Sequence, residues 1–269
     1  MTNTIYGGQA HAYAPPALGA PYPAHDKRDV KVCEPERKTV TNMLNKKAYI
    51  ITQKIEKNFK FENTVVLNID IEFPSIKLKH GGSIQSRANI DYSNIAKDFY
   101  RYAVKTMLPE AIEQYKTSKA NDFPFNTYQA VMRYTVTLNE NCTLSMFFDK
   151  YEYTGGAHGT TLRISDNRNI QTGKIIKLPD LFKGQPRWRG IVLASITEQA
   201  TQNLEENPGI YFDNYKQLIV ENFNPQSFNL TSNSLEIYYQ QYEIAPYSTG
   251  IVVFSLSYKS LGISEPHCI

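Results

Sequence analysis

The sequence is short of several things that would declare a chemistry. It has one Trp and three Cys in 269 residues. The cysteines, Cys33, Cys142 and Cys268, form no CxxC pair and no ligand spacing with the five His, so a zinc ribbon or finger is excluded. Three is an odd number, so at least one thiol stays unpaired in a monomer. Cys142 opens a strand pattern and reads as a small core residue. On this reading nothing demands an oxidising compartment. No run of about 18 apolar residues exists, so no membrane span is expected. The N-terminus has neither a basic n-region nor an apolar h-region, and synthesis without a recognisable export signal is expected. There is no phosphate-cradling Gly-rich loop before a helix and no GxSxG elbow. A net charge of +3 is too small to point to nucleic acid.

What is present is a globular composition, with 41% hydrophobic and 20% charged residues. Nineteen Tyr and 13 Phe give an aromatic content suited to half-wet sheets or binding surfaces. Charge is unevenly spread. Residues 1–120 hold 18 Lys and Arg against 12 Asp and Glu; residues 121–269 hold 11 against 14. The C-terminal half is therefore mildly acidic and would not repel a basic partner.

Residues 1–38 read as a disordered Gly/Pro/Tyr-rich tail, because Pro15, Pro16, Pro21 and Pro23 block regular structure and little can be buried. Residues 39–125 read as an N-terminal α+β part. There Val65, Leu67, Ile69, Ile71 and Phe73 alternate with Val66, Asn68, Asp70 and Glu72 as in a half-buried strand, which Pro74 should end. Residues 89–119 keep helical spacing, with Asn89 or Asp91 as the cap and a kink at Pro109. Residues 126–269 read as a C-terminal domain. It has strands at 128–138, 142–153 and 160–164, turn clusters at 166–169 and 172–174, and helices at 186–204 and 215–222. Strands near 228–230, 235–242 and 251–258 follow. Strand runs broken by separated helices predict an α+β fold of antiparallel sheets, with a long helix in the N-terminal part and one or two helices on the C-terminal sheet.

Three blocks carry a family resemblance. They are Tyr151-Glu152-Tyr153-Thr154-Gly155-Gly156-Ala157-His158-Gly159, then Thr172-Gly173-Lys174 with Leu178-Pro179-Asp180-Leu181-Phe182, then Tyr242-Glu243-Ile244-Ala245-Pro246-Tyr247-Ser248-Thr249-Gly250. In this order they resemble the C-terminal extracytoplasmic domain of the RsiV-type, lysozyme-responsive anti-sigma factors. The segment with Ile71-Glu72-Phe73-Pro74-Ser75-Ile76 and Asn89-Ile90-Asp91 resembles the domain that precedes it, found also on some peptidoglycan deacetylases. The resemblance covers residues 45–262. It implies a sensor that binds lysozyme outside the cell. The chain lacks that family's transmembrane helix and sigma-binding segment, so what carries over is a ligand- or protein-binding module.

The candidate binding residues are Tyr153, Gly155, Gly156, His158, Tyr242, Glu243, Pro246 and Tyr247. Glycines flanking His158 allow close approach and positive φ. Catalysis would need a carboxylate or nucleophile beside the ring; Glu152 and Asp149 are near in sequence, and no second His lies within metal-ligand spacing. His158 therefore reads first as a loop residue bonded to backbone, then as a binding residue, then as the centre of a hydrolase. Tyr242, Glu243 and Tyr247 form a rim able to stack, hydrogen-bond and carry charge toward a basic protein or a sugar. Pro246 and Gly250 equally suit a shaped connection. Asp166, Asn167 and Asp180 do not have calcium-loop spacing, and no cofactor or metal is expected. The expectation is a noncatalytic sensor or binding module for lysozyme or another cell-wall-active protein. A peptidoglycan, envelope or spore polysaccharide is the alternative ligand. Localisation stays open between extracytoplasmic, spore layer and cytoplasm.

Overall fold

A computed structural model describes residues 47–268. The expected tail at 1–38 and Cys33 lie outside the described residues. Two sheets organise the chain. The first holds β1 (Tyr49–Phe61), β2 (Thr64–Lys77), β3 (Tyr128–Glu140), β4 (Thr143–Tyr153) and β5 (Thr160–Asn169) in sequential order. The second holds β6 (Phe228–Leu230), β7 (Ser234–Tyr239) and β8 (Val252–Ser257), also in sequential order. The expected α+β class is the one observed.

In β2 the expected alternation holds over Leu67–Ile71, while Val65 and Phe73 are half-buried and Val66 is fully buried. Leu67, Ile69 and Ile71 are fully buried, beneath a helix whose Ala88, Tyr92, Ala96 and Phe99 share the core. That helix, α1 (Gly82–Tyr102), starts a full turn and more before the expected residue 89. Neither Asn89 nor Asp91 caps it. The Asn89 side chain instead pairs with Ile76, accepting from its N–H at 2.7 Å and donating to its carbonyl at 3.0 Å. Asp91 lies beside Arg168 at 3.3 Å. At Pro109 the expected kink is a π-helical segment, Ala103–Met107, leading into α2 (Leu108–Ala120). The wider turn accommodates a residue that has no N–H and crowds the carbonyl four residues back.

Other expectations change in ways the pairing explains. The first sheet is not all antiparallel, because β2 and β3 run parallel over Leu67–Ile71 and Tyr128–Met132. The helical crossover between them supplies the length a parallel connection needs. Pro74 does not end β2. The strand continues to Lys77, and Pro74 sits opposite Thr52 of β1, beyond the stretch paired with β3, where one edge needs no donor. Strands β3 to β5, on the C-terminal side of the expected boundary at 125/126, belong to the same sheet as β1 and β2. The polar cluster 166–169 is strand, not turn. Arg168 is buried with its guanidinium on Asp166, and Asn167 is buried between Ser145 and the Phe228 carbonyl.

Cys142 is no free core thiol. It occupies the second position of the β3–β4 hairpin turn, at φ 62°, and is disulfide-bonded to Cys268 across 126 residues of sequence. The sequence reading missed this because both residues sit at element ends, where spacing carries no pattern.

The second sheet packs with α3 (Trp188–Glu206) and α4 (Tyr215–Glu221) around Val192, Ile196, Ile219, Ile237 and Phe254. The two hydrophobic cores are distinct, though Leu138 of β3 packs into the second, and polar contacts link the two sheets. The Ser145 hydroxyl accepts from Leu230 N–H at 2.9 Å, and Ser165 donates to Asn229 at 3.0 Å.

Candidate functional site

β5 is an edge strand of the first sheet, so alternate backbone groups along it have no neighbouring strand. Two side-chain amides from the end of β7 take their place. Gln240 accepts from Arg163 N–H at 3.0 Å and donates to the Arg163 carbonyl at 2.7 Å. Gln241 accepts from Thr161 N–H at 2.7 Å. Beneath them the Arg163 guanidinium is buried, bidentate to Asp149 at 2.7 Å twice, and lies 3.6 Å over the Phe147 ring. This joint brings the loop before β5 against the loop after β7.

The consequence is a ring platform. The His158 and Tyr247 rings stack at 3.8 Å between centroids and 18° between planes. Tyr242 leans on Tyr247 at 5.9 Å. His158 and Tyr242 are exposed and Tyr247 is half-buried. Tyr242 holds φ 66°, a left-handed conformation that turns its ring outward while the chain reverses. Sequence residues 158 and 247, nearly ninety apart, are thus adjacent in space.

The other candidates shape the loops. The Tyr153 hydroxyl donates to the Gly156 carbonyl at 2.8 Å, and Asn126 donates to the Gly155 carbonyl at 3.0 Å. Gly155 takes φ 81°, which a side chain would strain, whereas Gly156 faces open space. The Glu243 carboxylate turns inward and accepts from Gln240 N–H at 2.7 Å. Burial pushes its carboxyl up from the usual range, an effect that the Gln240 N–H opposes. Pro246 leads into a single 3₁₀ turn, Tyr247–Thr249, which Gly250 closes at φ 73°. Of the eight sequence-predicted residues, His158, Tyr242 and Tyr247 therefore form the exposed surface. Gly156 lies open in the loop beside them, and the other four hold the backbone.

Among the described residues no hydrogen bond joins His158 to a carboxylate or a hydroxyl; its ring contact is the Tyr247 stack. No group of three or more His, Cys, Asp or Glu could hold a metal among the described residues. Sequence reasoning missed Gln240, Gln241 and Gly159. A β-carbon on Gly159 would fall inside contact distance of the Glu152 carbonyl and the Tyr151 ring, so only glycine passes there. The quoted motif contained Gly159. The glutamines gave no signal, because their role depends on an edge visible only once the sheet is assembled.

Comparison with known proteins finds two matches along the chain. Residues 60–161, from the end of β1 into β5, match the family model described as "Deacetylase PdaC". Residues 179–259, which include α3, α4 and the second sheet, match a protein of unknown function, DUF3298. The peptidoglycan-N-acetylmuramic acid deacetylase PdaC of Bacillus subtilis (strain 168) is 22% identical over 181 residues. That alignment covers 58% of this chain and 38% of that protein, so the chain spans well under half of its relative. Among solved structures, a DUF3298 family member from Bacteroides fragilis NCTC 9343 has the same fold. It superposes with a TM-score of 0.66 at 17% identity, covering 83% of this chain and 96% of that one. A DUF3298 family protein from Pseudomonas aeruginosa PAO1 matches at TM-score 0.48 and 21% identity, over 81% and 95% of the two chains.

Proposed function

We propose that the chain is a noncatalytic binding module of the bacterial cell envelope, and that its ring platform takes a cell-wall glycan. The observation that carries the reading is the His158–Tyr247–Tyr242 platform. Flat, exposed rings backed by a rigid joint present apolar faces to the C–H faces of a sugar and polar tips to its hydroxyls. Similarity to a peptidoglycan-N-acetylmuramic acid deacetylase supports a cell-wall role. The Cys142–Cys268 disulfide supports an oxidising compartment outside the cytoplasm.

The test is cosedimentation of the full chain with purified peptidoglycan sacculi. A stacked ring contributes about 0.5–1.5 kcal/mol. His158→Ala and Tyr242→Ala should each weaken binding about two- to tenfold. Tyr242 is 54% exposed, so its loss should leave thermal stability unchanged. Sacculi that retain no more protein than a bare-bead control would sink the glycan reading.

A second reading is recognition of a lysozyme-like protein through the same rim. The excess of acid over base in residues 121–269 favours it, as does the likeness of the 242–250 loop to the RsiV-type sensors. Calorimetry against hen lysozyme at two salt concentrations separates the two, because a charge-steered protein contact weakens with salt.

A further inference from the structure

Away from the platform, a cavity of about 360 Å³ lies between the turn after β5, the 3₁₀ segment Leu178–Phe182 and Leu230. Its floor is apolar, formed by Ile175, Ile176, Leu181 and Leu230. Its outer wall is the segment after β8, with Pro266 and His267. That wall is weakly held. The last backbone hydrogen bond tying it to the body is Ile263 N–H to the Tyr258 carbonyl, at 3.0 Å. Beyond it, among the described residues, Lys183 donates to the Ser264 hydroxyl at a long 3.4 Å, and His267 bonds only within the segment, to the Glu265 carbonyl. The remaining attachment is covalent, Cys268 to Cys142. Cys142 is fully buried in a hairpin turn, and its carbonyl accepts from Ile170 N–H at 2.8 Å, so the anchor is fixed.

We infer that residues 264–268 are a redox-released cover, clasped over this cavity by the Cys142–Cys268 disulfide. Cys268 is the half-buried partner, and a dithiol reductant attacks its sulfur first. The S–S bond breaks, a mixed disulfide forms on Cys268, and Cys142 leaves as a thiolate that takes up a proton. The reductant's second thiol then attacks the mixed disulfide, closes the reductant's own disulfide and frees Cys268 as a thiol. Two electrons and two protons pass to the protein. With the clasp gone, one long hydrogen bond does not offset the chain entropy of five residues, and the cover leaves the floor exposed to solvent.

The test uses the full chain carrying Cys33→Ser, so that only the two clasp cysteines remain. Oxidised protein should resist proteinase K cleavage within residues 264–268. After dithiothreitol it should be cut there and bind anilinonaphthalene sulfonate several-fold more strongly, with an unchanged far-UV circular dichroism spectrum. Cys268→Ser should behave like the reduced protein without any reductant. Equal protection of the segment in both redox states overturns the inference. So does global unfolding on reduction, which would make the bond a fold staple and not a clasp. Three free thiols in the air-oxidised parent chain would overturn it as well.

Discussion

Replacing Gln240 by alanine tests whether the edge of β5 is what assembles the platform. The substitution removes one acceptor from Arg163 N–H and one donor to the Arg163 carbonyl. Each hydrogen bond contributes about 1 kcal/mol net, and more where the abandoned group stays dry. Gln240 is half-buried, so water can reach part of the gap. The expected loss is about 2 kcal/mol, a drop of about 4–8 °C in Tm for a chain of this size. Urea denaturation measures the free energy, and the His158 ring-current shift by NMR reports the stack on Tyr247. Both should change together, and glycan binding should fall at least as far as in His158→Ala. Gln240→Glu keeps the acceptor and, when protonated, the donor, so its deficit should shrink in acid. A Gln240→Ala protein within about 0.5 kcal/mol of the parent, with its His158 shift intact, would refute the reasoning.

Three further outcomes follow from the same joint. Asp149→Ala leaves the buried Arg163 guanidinium without its bidentate partner and should cost about 3 kcal/mol in chemical denaturation. Gly159→Ala drives a β-carbon into the Glu152 carbonyl; about 1–3 kcal/mol and most of the platform binding should be lost, by denaturation and cosedimentation. Burial raises the folded-state pKa of Glu243 above its ordinary 4.5, so the unfolded chain releases this proton first. Its contribution is therefore most favourable below that value and declines as pH rises through the folded-state pKa. Glu243→Gln should flatten the stability profile above pH 4.5, measured by thermal melts, and a profile as steep as the parent's would count against it.

Strands and helices with a clean period were legible. Leu67, Ile69 and Ile71 announced β2, and the runs that became α3, α4, β7 and β8 were readable within a few residues. What was not legible depended on partners distant in sequence. Asn167 and Arg168 look like turn residues because their side chains are polar, yet each is buried against a specific acceptor or acid. The start of α1 was placed late because Asn89 resembles a cap, while its amide is committed to Ile76. His158 and Tyr247 were each visible as loop residues, but no local pattern says that their rings touch. The disulfide was invisible for the same reason.

A single device recurs at three places where backbone groups lie outside the strand ladders. Asn89 covers Ile76, Asn139 covers both backbone groups of Ala48, and Gln240 covers both of Arg163. A carboxamide carries one acceptor and one donor in a plane, so it can stand in for a peptide of a missing strand without extending the sheet. This blunts an edge that would otherwise invite another chain. At β5 it does more, because the amide comes from the second sheet and fixes one core against the other through hydrogen bonds that have little tolerance for slippage. An apolar joint between the sheets could slide with small loss. One built on Gln240, Ser145 and Asn167 holds its register, and a stack only 3.8 Å deep between loops from two sheets requires that register.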